Sequence, residues 1–223
     1  MIELSGIRHT NLDISSLRIP PGTTSVIGPN GSGKTMLLKL LAGITLPQSG
    51  TVFIDGLHPR EIETGWVNEF PDRNILFGTV FDEVASSLRF RHLPDKDVER
   101  TVEILLDSMG ISPLTDRPVY DLSGGEKVLV ALAAALVHTP RFLVLDECDS
   151  HLDNNRARQI ERIVQERRIP YVIRCTQQVE SAIRSDHVIF LENGRVAFDG
   201  LPTDVFAQLH DTPFYPLSLE CGI

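Results

Sequence analysis

Eight consecutive residues of this sequence have the types and spacing that hold a phosphate chain: Gly28-Pro29-Asn30-Gly31-Ser32-Gly33-Lys34-Thr35. They match G-x-x-x-x-G-K-[ST], with Gly28 first, Gly33 sixth, then Lys34 and Thr35. Glycines let successive backbone N–H groups from Asn30, Gly31, Ser32 and Gly33 turn inward around phosphate oxygens, where a Cβ would block the approach. Lys34 supplies a point charge for the outer phosphates. The Thr35 hydroxyl suits Mg²⁺, and a helix beginning here aims its positive dipole end at the anion. A glycine-rich turn without a ligand is the alternative. The flanks oppose it, because Thr24 to Ile27 reads as a buried strand entering the loop and Met36 to Ala42 as a helix leaving it.

Two further stretches carry chemistry. Phe142-Leu143-Val144-Leu145-Asp146 is a buried strand ending in an acid, which a nucleotide hydrolase needs to hold the water shell of its metal. Glu147 follows at once, and neighbouring side chains at a strand end point differently, so one carboxylate serves the metal while the other acts as general base. Leu122-Ser123-Gly124-Gly125-Glu126 places a hydroxyl and two glycines at a helix start, a second anion-binding nest. The simpler reading is a capping box between Ser123 and Glu126. That accounts for the serine and leaves both glycines idle.

The elements that must position these groups follow from periodicity. Residues 2–7 and 12–19 read as strands, the second alternating through Leu12, Ile14, Leu17 and Ile19 with an interruption at Ser15-Ser16. Thr51 to Ile54 is another strand, and Trp66 to Glu69 a short one. Between about 70 and 122 the texture becomes helical: Val98, Val102, Leu105, Leu106 and Met109 make one apolar face ended by Gly110. The predicted organisation is a single domain in which 1–69 and 123–223 form the β core and about 70–122 an inserted helical subdomain. Val128 to Val137 is apolar almost all round and predicts a buried helix. Phe142 to Leu145 and Tyr171 to Ile173, separated by a helix, indicate a parallel sheet covered on both faces. Asn193-Gly194 between two apolar runs marks a hairpin. The fold class is therefore α/β: a P-loop core with a mainly parallel sheet, antiparallel strands at the N-terminus, and a helical insertion.

Composition bounds the partners. The 223 residues are 42% hydrophobic and 23% charged, enough for a sizeable core. A net charge of −9 opposes nucleic-acid binding by a broad basic face. The three cysteines, Cys148, Cys175 and Cys221, have no C-x-x-C pair, so the expectation is reduced thiols in a cytoplasmic setting. The start lacks the regions of a signal peptide, and the longest apolar run is shorter than the ~20 residues that span a bilayer. Any membrane role must come through a partner.

With these pieces in this order, the chain resembles the ATP-binding subunits of ABC transporters over nearly its whole length. Gly28 to Thr35 stands as Walker A, Leu122 to Glu126 as the signature, Phe142 to Asp146 as Walker B with Glu147 as catalytic base, and Ser150-His151-Leu152-Asp153 as the D-loop. The resemblance implies ATP and Mg²⁺ as ligands. It also implies a head-to-tail dimer with a second nucleotide-binding subunit, in which Ser123, Gly124 and Gly125 of one subunit close over ATP held by Lys34 and Thr35 of the other. Pro71-Asp72, Thr79 to Ala85 and the C-terminal hairpin with Asp199 to Val205 look like the cobalt-import and energy-coupling-factor branch. Those subunits drive uptake of metal ions or vitamins from the inner face of the cell membrane, docked on integral membrane subunits. The region from Asp72 to Pro94, with Arg89-Phe90-Arg91-His92, would receive a coupling helix.

Three positions depart from the family. Glu69 stands where its glutamine reaches the metal and attacking water; a carboxylate can still ligate Mg²⁺, but adds charge. Gln177 stands at the switch histidine; its amide can donate to a γ-phosphate oxygen but carries no proton at the histidine's reference pKa of about 6.5. Slow hydrolysis is expected. His9 occupies the place of the aromatic that stacks on adenine, within a shortened loop, or is simply a strand-end histidine. Cys148-Asp149 replace the usual proline-threonine. The competing readings are a soluble ABC-type switch in a non-transport complex and a weakly hydrolysing partner in a heterodimer. A small-molecule P-loop kinase would leave the signature and D-loop without a task.

Overall fold

Alternation builds the first sheet. In β1 (Ile2–His9), Ile2, Leu4 and Ile7 are buried; in β2 (Leu12–Ile19), so are Leu12, Ile14, Leu17 and Ile19. The structure is a computed structural model, and it describes residues 1–71, 75–150, 152–177 and 179–216. β1 lies between β2 and β4 (Ser49–Ile54), antiparallel to both. The interruption expected at Ser15-Ser16 does not break β2. Both serines are exposed in succession, Ser16 pairs with Ser5, and the extra outward position returns Leu17 and Ile19 to the buried face. Gly6, at φ 60°, takes up the matching irregularity in β1.

The chain forms two compact units. The first comprises Met1–Ile62, Val144–Glu147 and Pro170–Ile223. Its second sheet is built on β3 (Gly22–Ile27), which pairs in parallel with β7 (Tyr171–Cys175) on one side and β8 (His187–Glu192) on the other. Leaving aside the strand contributed by the second unit, the order is β6 (Phe142–Asp146), β7, β3, β8, β9 (Arg195–Gly200), with β9 antiparallel to β8. β6 and β7 are buried at every residue and β8 at all but its last, which is why Phe142 to Leu145, Tyr171 to Ile173 and Val188 to Leu191 read as unbroken apolar runs rather than alternating ones. The β8–β9 turn is Asn193-Gly194, both at positive φ (48° and 77°), the mirror-image geometry that matches strand twist. Helices α1 (Lys34–Leu41), α6 (Val179–Ala182) and α7 (Pro202–Gln208) belong to this unit. Val205, Phe206 and Leu209 pack with Ile27, Val188 and Phe190. Burying side chains of this size stabilises by about 1.5–3 kcal/mol each, so the C-terminal helix is part of the β3–β8 core.

The second unit comprises Glu63–Leu143 and Cys148–Ile169. It holds β5 (Thr64–Val67), α2 (Val80–Phe90), α3 (Asp95–Ser108), α4 (Gly124–Leu136) and α5 (Asn154–Glu166). α3 buries Val98, Val102, Leu105 and Leu106, the stripe expected from spacing, and Gly110 follows it at φ 71°. α2 is capped by Thr79, whose hydroxyl accepts from the Asp82 N–H. Glu83 on the same helix is buried, and its carboxylate accepts from the Leu76 and Phe77 N–H groups at 2.9 Å each. α4 is buried along Val128 to Ala133, as its all-round apolarity predicts. β5 is Thr64–Val67 rather than Trp66–Glu69: Glu69 lies in a bend, and the Asn68 side chain accepts from the Trp66 indole. Gly65 is required there, since a Cβ would stand 2.5 Å from the Ala135 carbonyl oxygen. Among the described residues no helix is long and apolar enough to cross a membrane.

Candidate functional site

β3 ends at Ile27 and the chain turns into the phosphate-type loop before α1 begins at Lys34. Gly28 is at φ 141°, and a Cβ there would fall 2.0 Å from the Leu191 carbonyl oxygen, so this position requires glycine. Gly33, the residue before α1, is left-handed at φ 104° and has no side chain to cap the helix. The leading N–H groups of α1 therefore have no side-chain cap, the condition under which a helix start accepts an anion. The Ser32 hydroxyl is buried and unpaired among the described residues. A buried hydroxyl without a partner costs about 1–3 kcal/mol, which a ligand oxygen would offset.

Lys34 is 6% exposed. Its ammonium donates to the carbonyls of Gly28 (2.9 Å) and Pro29 (3.1 Å) and lies 3.9 Å from Glu147 Oε1. A buried charge must be paired, and the loop's own carbonyls hold this one beside the place where phosphates would sit. Thr35 Oγ1 donates to Asp146 Oδ1 at 3.2 Å. The hydroxyl and carboxylate come from the start of α1 and the end of β6, and such oxygen donors suit a hard divalent cation.

Glu147 has the left-handed backbone of a residue forced to turn, at φ 51°, and its N–H donates to the Cys175 carbonyl at 3.0 Å. Both carboxylate oxygens are engaged. Oε2 accepts from Gln177 Nε2 at 2.7 Å, and Oε1 accepts from Cys175 Sγ at 3.5 Å. Burial pushes the Cys175 thiol well above the ordinary range; Lys34 opposes this, while Asp146 and Glu147 add to it. It is therefore a protonated donor. Lys34, Thr35, Asp146, Glu147 and Gln177 thus come together at the ends of β3, β6 and β7, within the first unit.

Two braces of the loop were not foreseen from sequence. Asn11 Nδ2 donates to the Gly31 carbonyl at 3.1 Å, and the Gly194 N–H donates to the Ser32 carbonyl at 3.0 Å. Gly194 also accepts from the Asp13 N–H at 2.8 Å. Contacts from the β1–β2 turn and the β8–β9 turn are non-local, and no spacing rule announces them. Asn11, rather than His9, bonds the loop. His9 ends β1, partly buried, with Nδ1 unpaired among the described residues.

The second unit carries the other nest. Ser123 caps α4, and the box predicted for it is complete: Ser123 Oγ accepts from the Glu126 N–H at 3.4 Å, and Glu126 Oε2 accepts from the Ser123 N–H at 2.8 Å and hydroxyl at 2.7 Å. The Ser123 hydroxyl and N–H hold Glu126 below the usual carboxylate range. Arg117 lies 3.4 Å from Glu126. A Cβ on Gly124 would meet nothing within 4 Å, and one on Gly125 would reach Arg156 Cγ only at 3.4 Å. Neither glycine is required by its surroundings. Glu69 is partly buried in the bend after β5. In the D-loop stretch, the Ser150 hydroxyl is buried and unpaired among the described residues, and Asp153 caps α5 by accepting from the Asn155 and Arg156 N–H groups at 2.9 Å each. Asp72, His151 and Cys221 lie outside the described residues.

A family model described as ABC transporter matches residues 12–150. The chain is 32% identical over 231 residues to the energy-coupling factor transporter ATP-binding protein EcfA1 of Clostridioides difficile, covering 98% of this chain and 82% of that protein. It is 34% identical over 192 residues to the tungstate uptake system ATP-binding protein TupC of Peptoclostridium acidaminophilum, covering 84% and 90%. Among solved structures it resembles cbiO1 from Clostridium perfringens, part of the ABC transporter complex cbiONQ, with a TM-score of 0.84 at 27% identity, covering 93% of this chain and 90% of that one.

Proposed function

Because the chain belongs to the ABC transporter family, we propose that it is the ATP-binding and ATP-hydrolysing subunit that powers uptake of a metal ion or vitamin through ATP-driven, head-to-tail dimerisation. The observation that carries this is the cluster at the strand ends, with Lys34 paired to the loop carbonyls and 3.9 Å from Glu147, and Thr35 on Asp146. The substrate class is taken from relatives whose names state energy-coupling and tungstate uptake and from a neighbour within a cbiONQ complex. The 223 residues act as one ATPase domain with residues 70–122 as its helical subdomain, bound peripherally at the inner face of the membrane through integral subunits.

In this reading the N–H groups of Asn30 to Gly33 cradle the phosphates, and Lys34 exchanges its carbonyl partners for the outer phosphate oxygens, a charge-assisted contact. Thr35 and Asp146 would hold Mg²⁺, and the sequence position of Glu69 alone assigns it a further ligand role. When bound, the ion spreads the charge of the transferring phosphoryl group. Glu147 takes a proton from water as its oxygen bonds to the γ-phosphorus, and the bond from that phosphorus to the leaving ADP oxygen breaks. Ser123, Gly124 and Gly125 of a second nucleotide-binding subunit complete the site, and His9 borders the base. Gln177 keeps Glu147 engaged without contributing a proton, which favours slow turnover.

Two measurements test the proposal: ATPase activity of the purified chain, and co-purification from native membranes. Recovery with integral membrane subunits is expected. Recovery with soluble partners alone would replace the uptake reading with a soluble ABC switch.

A further inference from the structure

The carboxylate assigned as general base is held from beneath by a thiol. Cys175 is the last residue of β7, 1% exposed, and it contacts Glu147 twice. Its carbonyl accepts the Glu147 N–H at 3.0 Å, fixing the backbone at the point where φ turns positive, and its Sγ donates to Oε1 at 3.5 Å. The other oxygen is held by Gln177, two residues beyond on the same segment.

These two holds differ in kind. Gln177 is exposed, and an amide on a solvent-facing loop can swing away. Cys175 is locked in the sheet, where its Cα partner is Val26 of β3. A side-chain amide that leaves Glu147 to meet a phosphate frees Oε2 for water. The thiol stays on Oε1 and keeps the carboxylate from rotating or retreating toward Lys34, 3.9 Å from the same oxygen. An aliphatic side chain at 175 would fill the space but offer no donor.

We propose that Cys175 is a positioning residue for the hydrolytic reaction: its S–H, fixed at the end of β7, orients Glu147 so that Oε2 faces the attacking water. This depends on Glu147 being the general base, as proposed above. The thiol undergoes no covalent or redox change; it remains a protonated donor, which its burial favours.

The test compares Cys175→Ser, Cys175→Ala and Cys175→Val with the parent in the 223-residue chain, measuring kcat and KM for ATP, with Glu147→Gln alongside. Losing a hydrogen bond to a charged group is expected to lower kcat on the order of tenfold in the Ala and Val variants, with KM changed less than about twofold. Serine, which keeps a donor, restores most of the rate. A residue that merely packs would give the opposite order, with Val and Ala the better substitutes for a buried thiol and Ser the worst; that order, or equal kcat in all three, overturns the proposal. If Glu147→Gln retains the parent rate, the base assignment falls instead. If it is silent while Ser and Val match, only the positioning role falls.

Discussion

Gln177 Nε2 stands 2.7 Å from Glu147 Oε2, so a neutral donor is bound to the carboxylate we propose as the general base. A histidine there could donate the same bond and also accept or carry a proton near neutral pH. Replacing Gln177 with histidine is therefore expected to raise ATP turnover by about a hundredfold, the low end of what an acid–base group contributes. Glu147→Gln should abolish turnover and accumulate an ATP-bound dimer, visible by size exclusion with ATP. If the histidine variant hydrolyses at the parent rate while Glu147→Gln is silent, Gln177 does not limit the reaction.

The glycines of the second nest separate binding from stability. Gly124 and Gly125 occupy the first turn of α4, where alanine is the better helix former by about 0.5–1 kcal/mol and the structure leaves room for a Cβ. Gly124→Ala should keep or raise Tm yet reduce ATPase activity at least tenfold if, as we propose, the added methyl group stands where another subunit's phosphates approach. Full activity in a stabilised variant would reduce this stretch to the capping box alone.

Gly194 permits no such exchange. A Cβ on it would fall 1.6 Å from the Asn11 carbonyl oxygen, at φ 77°. Gly194→Ala is expected to cost about 2 kcal/mol or more and to weaken ATP binding, since the Gly194 N–H holds Ser32. Chemical denaturation and nucleotide titration on the same preparation read both effects.

His187 sets a pH dependence. It is buried in β8, its Nδ1 unpaired among the described residues and its Nε2 3.7 Å from Asp199. Burial lowers its pKa, and Asp199 opposes this only in part. The unfolded chain, with a histidine pKa near 6.5, then binds the proton first on acidification. Stability contributed by the neutral ring is complete above about pH 6.5 and is lost as pH falls from there through the lower folded value. Urea midpoints between pH 7.5 and 5 should fall less steeply in His187→Gln than in the parent. Equal slopes would remove His187 as a source.

What could be read in advance divides along locality. The α3 stripe from Val98 to Leu106, the buried runs of β6 and β7 and the Asn193-Gly194 turn are each dictated by neighbours within a few positions, so periodicity and turn chemistry predict them. The loop from Gly28 to Thr35 is equally local. Asn11 on Gly31, Gly194 on Ser32 and Cys175 on Glu147 join residues 20 to 162 positions apart, and only the sheet order brings them together. The Asp153 cap was available in principle, as an aspartate directly before the helix. The short strand at Thr64–Val67 was displaced because Gly65 tolerates β geometry where α4 approaches, a reason found in packing rather than pattern.

The central position of β3 also governs the order in which a ribosome can deliver this protein. Both of its sheet neighbours, β7 and β8, come more than 140 residues later, and the turn that pins Ser32 comes at residue 194. Nucleotide cannot help the nascent chain fold until β7, β8 and the turn at Gly194 have emerged. Until then the loop is bare and β3 is an open-edged strand, the period in which the chain most needs protection from aggregation.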